Sequence, residues 1–86
     1  MQKTVLFIHS AGPQGGGEGS SNLSAYLERE LRNQYNFVCP KMPNPENPEY
    51  ILWKKQLEKE LDKLNGDVIL VGHSLGGSVL LKYLSE

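Results

Sequence analysis

Two short stretches of the 86-residue chain hold residues whose types and spacing could do chemistry. One is Gly72-His73-Ser74-Leu75-Gly76-Gly77. A serine with a glycine two residues away on each side suits a chain that leaves a strand and enters a helix within about two residues. Such a reversal predicts a strained backbone with positive φ at Ser74, and a hydroxyl that projects from the corner. Side chains at Gly72 or Gly76 would collide with the adjoining strand and helix, and Gly77 is expected to let the helix sit close to the sheet. The chemistry is nucleophilic: the Ser74 hydroxyl attacks an electrophilic carbon beside the unpaired N–H groups and positive dipole end of the following helix.

The other stretch is His9-Ser10-Ala11-Gly12, directly after the first apolar run. A backbone N–H from this loop, together with that of the residue after the nucleophile, can hold the oxyanion of a tetrahedral intermediate. Leu75 is one donor by position; Ala11 is the expected second, with Ser10 as the alternative. Glycines at positions 12, 15, 16, 17 and 19 also suggest a phosphate cradle. They fit neither G-x-G-x-x-G nor G-x-x-x-x-G-K-[ST], so that reading is set aside.

A serine nucleophile needs a base within about 2.6–3.2 Å and a group that orients the base. His73 adjoins Ser74 on a tight turn, so its ring is expected to point away from the hydroxyl. His9 ends the first strand and is expected to pin the loop by bonding backbone groups. Asp62 and Asp67 fall at the far end of the sheet and Glu86 ends the sequence, which leaves no convincing orienting acid.

The elements that must position these residues follow from periodicity. Thr4-Val5-Leu6-Phe7-Ile8 is an apolar run without polar alternation, the pattern of a strand covered on both faces. Ser20 or Ser21 can cap a helix of about 13 residues with Leu23, Leu27 and Leu31 on one face. Asn36-Phe37-Val38-Cys39 reads as a second strand, with Cys39 as a small core residue. Tyr50, Trp53, Leu57, Leu61 and Leu64 mark a second helix, with Trp53 in the core, stopped by Asn65-Gly66. Val68-Ile69-Leu70-Val71 reads as a third buried strand, and a third helix starts near Leu75 and runs to Leu84. The order β-α-β-α-β-α predicts an α/β fold, a parallel sheet with helices on both faces joined by right-handed crossovers. The loop from Met42 to Pro48 then lies at the carboxyl end of the second strand, near Ser74, where it can shape a substrate entrance.

Composition narrows the class. Nine Lys+Arg against ten Asp+Glu give a net charge of −1, which offers no electrostatic case for nucleic acid or an anionic membrane surface. No strictly apolar run exceeds four residues, far short of a membrane span or a signal-peptide core. The single cysteine excludes an internal disulfide and a cysteine-cluster metal site. The expectation is a single-domain cytoplasmic protein.

With these residues in view, the chain resembles the N-terminal half of an α/β-hydrolase, and more closely the small retinoblastoma-binding-protein-nine-like serine hydrolases. The resemblance rests on Val5-Leu6-Phe7-Ile8 near the N-terminus, the glycine-rich loop, Met42-Pro43-Asn44-Pro45, Trp53 and Gly72-His73-Ser74. That family more often has glycine where this chain has Ser10. The resemblance implies hydrolysis of carboxylic esters or related small acyl substrates by a Ser-His-Asp triad, without metal or cofactor. It also implies that the Asp and His lie beyond Glu86, so residues 1–86 are expected to be a truncated, inactive portion of one domain. Strand order second-first-third leaves the third strand at an open edge, where self-association is possible. The alternative function is a catalytically inactive hydrolase-like binding module that uses the same cleft or edge.

Overall fold

The computed structural model describes residues 3–12, 19–64 and 67–86. Its elements are β1 (Lys3–Ile8), α1 (Ser21–Leu31), β2 (Tyr35–Val38), α2 (Tyr50–Asp62), β3 (Val68–Gly72) and α3 (Leu75–Leu84). The strands form one parallel sheet in the order β2-β1-β3. The pairing aligns Thr4 with both Asn36 and Val68, and Ile8 with Gly72. All three strands therefore run the same way, and the two serine-bearing corners share the carboxyl end of the sheet. The sequence reading of the fold holds.

β1 earns its central place through composition. Val5, Leu6, Phe7 and Ile8 are all buried, so the unbroken apolar run is matched by cover on both faces. On one face Leu6 and Ile8 join Met42, Trp53, Leu57, Val79 and Leu80, which brings α2 and α3 over the strand. On the other face Phe7 lies against Phe37, with ring centroids 6.2 Å apart. α1 packs beside β2 and, by the right-handed crossover, belongs to that second face.

Burial departs from the sequence reading at the margins of the sheet. β3 is only half-buried and Ile69 is exposed, because among the described residues β3 is an edge strand paired with β1 alone. The α1 stripe is also thinner than its spacing predicts: Leu23 is exposed and Leu27 and Leu31 are half-buried, since a narrow sheet offers little surface there. β2 begins at Tyr35 and ends at Val38, which leaves Cys39 past the strand and exposed rather than in the core. Partial desolvation pushes its thiol above its usual value, against the reactive thiolate form. The stretch from Pro13 to Gly17 and the Asn65-Gly66 stop lie outside the described residues; α2 ends at Asp62, with Lys63 as its C-cap.

Candidate active site

Ser74 stands between β3 and α3 with φ 56° and ψ −119°. This is a conformation that L residues adopt only under constraint, at a cost of about 1–3 kcal/mol. The constraint is visible in the glycines on either side. A Cβ on Gly76 would run into the Ile8 carbonyl oxygen, and one on Gly72 would lie 2.5 Å from the Gly77 nitrogen. Backbone touches backbone across the corner, so the turn cannot relax outward. Gly77 is different: its Cβ would meet the Gly72 carbonyl oxygen at 3.4 Å, an ordinary contact. The close approach expected of Gly77 belongs to Gly72 and Gly76.

The Ser74 side chain is exposed, and among the described residues none hydrogen-bonds its hydroxyl. The Ser74 carbonyl accepts from the Ser78 N–H at 3.2 Å, the first bond of α3. The rigid, trans Ser74–Leu75 peptide therefore turns the Leu75 N–H the opposite way, out of the head of the helix.

The loop after β1 is held at several points. His9 is buried, and its Nδ1–H donates to the Ser10 carbonyl at 3.2 Å, with Ser21 Oγ 3.5 Å from Nε2. The Ser10 N–H donates to Ser20 Oγ at 3.0 Å, and the Gly12 N–H donates to the Pro45 carbonyl at 2.6 Å. Ala11, between them, is exposed, and its N–H meets no acceptor among the described residues. The loop after β2 is anchored as firmly: Met42 sits in the core and Trp53 Nε1–H donates to the Pro43 carbonyl at 2.7 Å. Asn44, with φ 45°, turns the chain back. The Met42-Pro43-Asn44-Pro45 stretch and Trp53, separate features in the sequence, form one structural unit against the β1 loop.

Neither histidine is offered to Ser74. The His73 ring turns to Ser20, with Nδ1 2.7 Å from its Oγ, and His9 is committed to the β1 loop. Asp67 pairs loosely with Lys3 at 4.0 Å, and Glu86 takes bonds from Lys54 and Tyr50 at the side of α2. Sequence reasoning missed Ser20. It is the N-cap position of α1, as expected, yet its hydroxyl makes no cap bond and serves the β1 loop and His73 instead. A largely apolar hollow of about 180 Å³ opens between α2 and α3, walled by residues that include Pro48, Tyr50, Trp53, Leu75 and Val79. Among the described residues no group of three or more His, Cys, Asp or Glu gathers to hold a metal ion, and no helix is long and apolar enough to cross a membrane.

A parallel α/β sheet thus carries a strained serine at the corner between β3 and α3. The sequence profile of the serine hydrolase family matches residues 17–86, and the chain belongs to that family. The crystal structure of the ydeN gene product from B. subtilis is similar in fold, with a TM-score of 0.70 and 21% identity. The match covers 98% of this chain and 43% of that one, so residues 1–86 span less than half of the ydeN chain. No curated protein matches the chain.

Proposed function

We propose that this chain carries the nucleophile and oxyanion-binding portion of a serine hydrolase acting on carboxylic esters or related small acyl compounds. The observation that supports this most is the positive φ of Ser74, with an exposed hydroxyl at the head of α3. In the proposed reaction Ser74 Oγ attacks the substrate carbonyl, and the N–H groups of Leu75 and Ala11 take the resulting oxyanion. Ser10 is the weaker candidate for the second donor, because its N–H is already given to Ser20. The serine proton passes to a histidine and then to the leaving alcohol, which departs as the acyl-enzyme forms; water reverses the sequence and frees the acid.

That histidine and its orienting Asp are assigned to the part of the hydrolase outside residues 1–86. The support is the engagement of His9 and His73 elsewhere, together with the span of this chain against the ydeN product. The hollow beside Leu75 is assigned to the apolar part of the acyl group. The retinoblastoma-binding-protein-nine-like branch remains the family branch we favour, on the Met42–Pro45 loop and its bond to Trp53.

Labelling with a fluorophosphonate probe tests the proposal. It compares the 86-residue chain, a form extended through the rest of the domain, and Ser74→Ala in each. Labelling that is rapid only in the extended form and lost with Ser74→Ala supports it. An extended form that folds and stays unlabelled gives the inactive binding module instead. Rapid labelling of the short chain that vanishes with His9→Ala or His73→Ala would make an internal histidine the base.

A further inference from the structure

We infer that Ser20 is a positioning residue of this active site: its buried hydroxyl links the oxyanion loop to the residue that precedes the nucleophile. The inference rests on the hydrolase reading above and adds to it a third serine, outside both the Ser74 corner and the β1 loop.

Ser20 is 1% exposed, at the start of α1. A serine at that position ordinarily turns its oxygen onto the N–H groups of the helix it begins, from an extended backbone. Here φ is −88° and ψ is 8°, no cap bond forms, and the oxygen turns to Ser10 and His73 instead. It accepts the Ser10 N–H at 3.0 Å and meets His73 Nδ1 at 2.7 Å, across 53 residues of sequence. A nucleophilic role for this Ser–His pair is excluded by the burial of Ser20 and by the Ser10 N–H on its oxygen.

The consequence follows from peptide planarity. Two rigid peptide planes flank Ser10. Ser20 holds the N–H of the first, and His9 holds the carbonyl of the second through its 3.2 Å bond. The second plane also contains the Ala11 N–H, which a trans peptide directs opposite to the Ser10 carbonyl. Fixing both planes therefore aims the Ala11 N–H. The other oxyanion donor, Leu75, belongs to the peptide that follows Ser74, and His73 is tied to Ser20. One hydroxyl thus registers the loop after β1 against the corner after β3, so that two donors from distant segments meet one oxygen. Donors are useful only when they are held in place before charge develops.

The test uses the complete domain and a p-nitrophenyl ester. Ser20→Ala is expected to lower kcat about 10–100-fold, the scale of a misplacement near 1 Å or of partial loss of one oxyanion donor. KM should hold, and affinity for an aryl trifluoromethyl ketone, whose adduct places an oxyanion in the hole, should fall in parallel with kcat. Ser20→Thr, which keeps the hydroxyl, should recover most of the rate. His73→Leu cuts the other end of the link, and the double variant should be no worse than the worse single one. Unchanged kcat in a folded Ser20→Ala, a loss confined to KM, or strictly multiplicative losses in the double variant would each overturn the inference. If Ser20→Ala does not fold, His73→Leu decides alone, since His73 is exposed: wild-type kcat overturns the inference and a kcat loss with KM held supports it. Turnover that survives Ser74→Ala would instead remove the hydrolase reading itself.

Discussion

Gly76 stands against the Ile8 carbonyl so closely that a β-carbon on it would overlap the oxygen. The contact joins the first turn of α3 to the end of the central strand, and it holds the Ser74 corner in its strained form. Gly76→Ala is therefore expected to destabilise the fold by about 1–3 kcal/mol or more, the range for overpacking a tight contact. Gly77→Ala is the control: its β-carbon meets only an ordinary contact, and alanine is favoured over glycine in a helix by about 1 kcal/mol. Denaturant midpoints should move in opposite directions, or the two unfolding free energies should at least diverge by more than about 1 kcal/mol. Equal midpoints would show that Gly76 can shift away from Ile8 at no cost.

Trp53 ties the loop after β2 to the core through the bond from Nε1 to the Pro43 carbonyl. Trp53→Phe keeps a buried ring but leaves that carbonyl without its donor, at an expected cost of about 1–3 kcal/mol. Because Gly12 donates to Pro45 in the same loop, slackening should reach the β1 loop as well. Hydrogen exchange at the Gly12 amide is expected to quicken by more than global destabilisation explains. Exchange that tracks global stability alone would mean the two loops are independent.

Glu86 offers a pH-dependent contact. The Lys54 ammonium, 2.9 Å away, and then the Tyr50 hydroxyl hold its carboxyl below the usual carboxylate range. A depressed folded pKa means that the stabilisation is present above the unfolded pKa and is lost as pH falls through the folded value. The Lys54 pKa is raised, first by its bond to Glu86, so its share is present below the unfolded lysine pKa and lost as pH rises through the folded value. Lys54→Ala should move the Glu86 titration midpoint upward, as read from its side-chain carbonyl carbon shift. A midpoint that stays put would assign the depression to other groups.

The sequence made the strands and the Ser74 corner legible because both are local. Val5 to Ile8 announces a strand covered on both faces, and glycine spacing announces a tight corner. Burial was legible only where an element has neighbours on all sides. Val68 to Val71 has the same character as the central run, yet it lies at an edge, and no local pattern records how many strands flank it. The α1 leucines mark which face turns inward but not how much surface waits there. Ser20 was the least legible of all. Its residue type satisfies a helix cap, so local logic accounts for it fully, while its actual partners, Ser10 and His73, are brought together only by the sheet order.

The outer edge of β3 carries the last prediction. β3 pairs with β1 alone, and among the described residues no strand takes its other side. Its side chains are apolar from Val68 to Val71, and Ile69 is 39% exposed. Unpaired N–H and C=O groups along an apolar edge form a template for a further strand, and charged side chains on an edge are what block such pairing. The 86-residue chain is therefore expected to self-associate through β3 as its concentration rises. Ile69→Lys should suppress this while leaving the β1–β3 ladder intact, since the substitution sits at an exposed position and removes no backbone bond. Sedimentation velocity over a concentration series reads the outcome directly. A native chain that stays monomeric throughout, or an association that Ile69→Lys leaves untouched, would rule out β3 as the contact. Suppression by the lysine would place the contact on this edge.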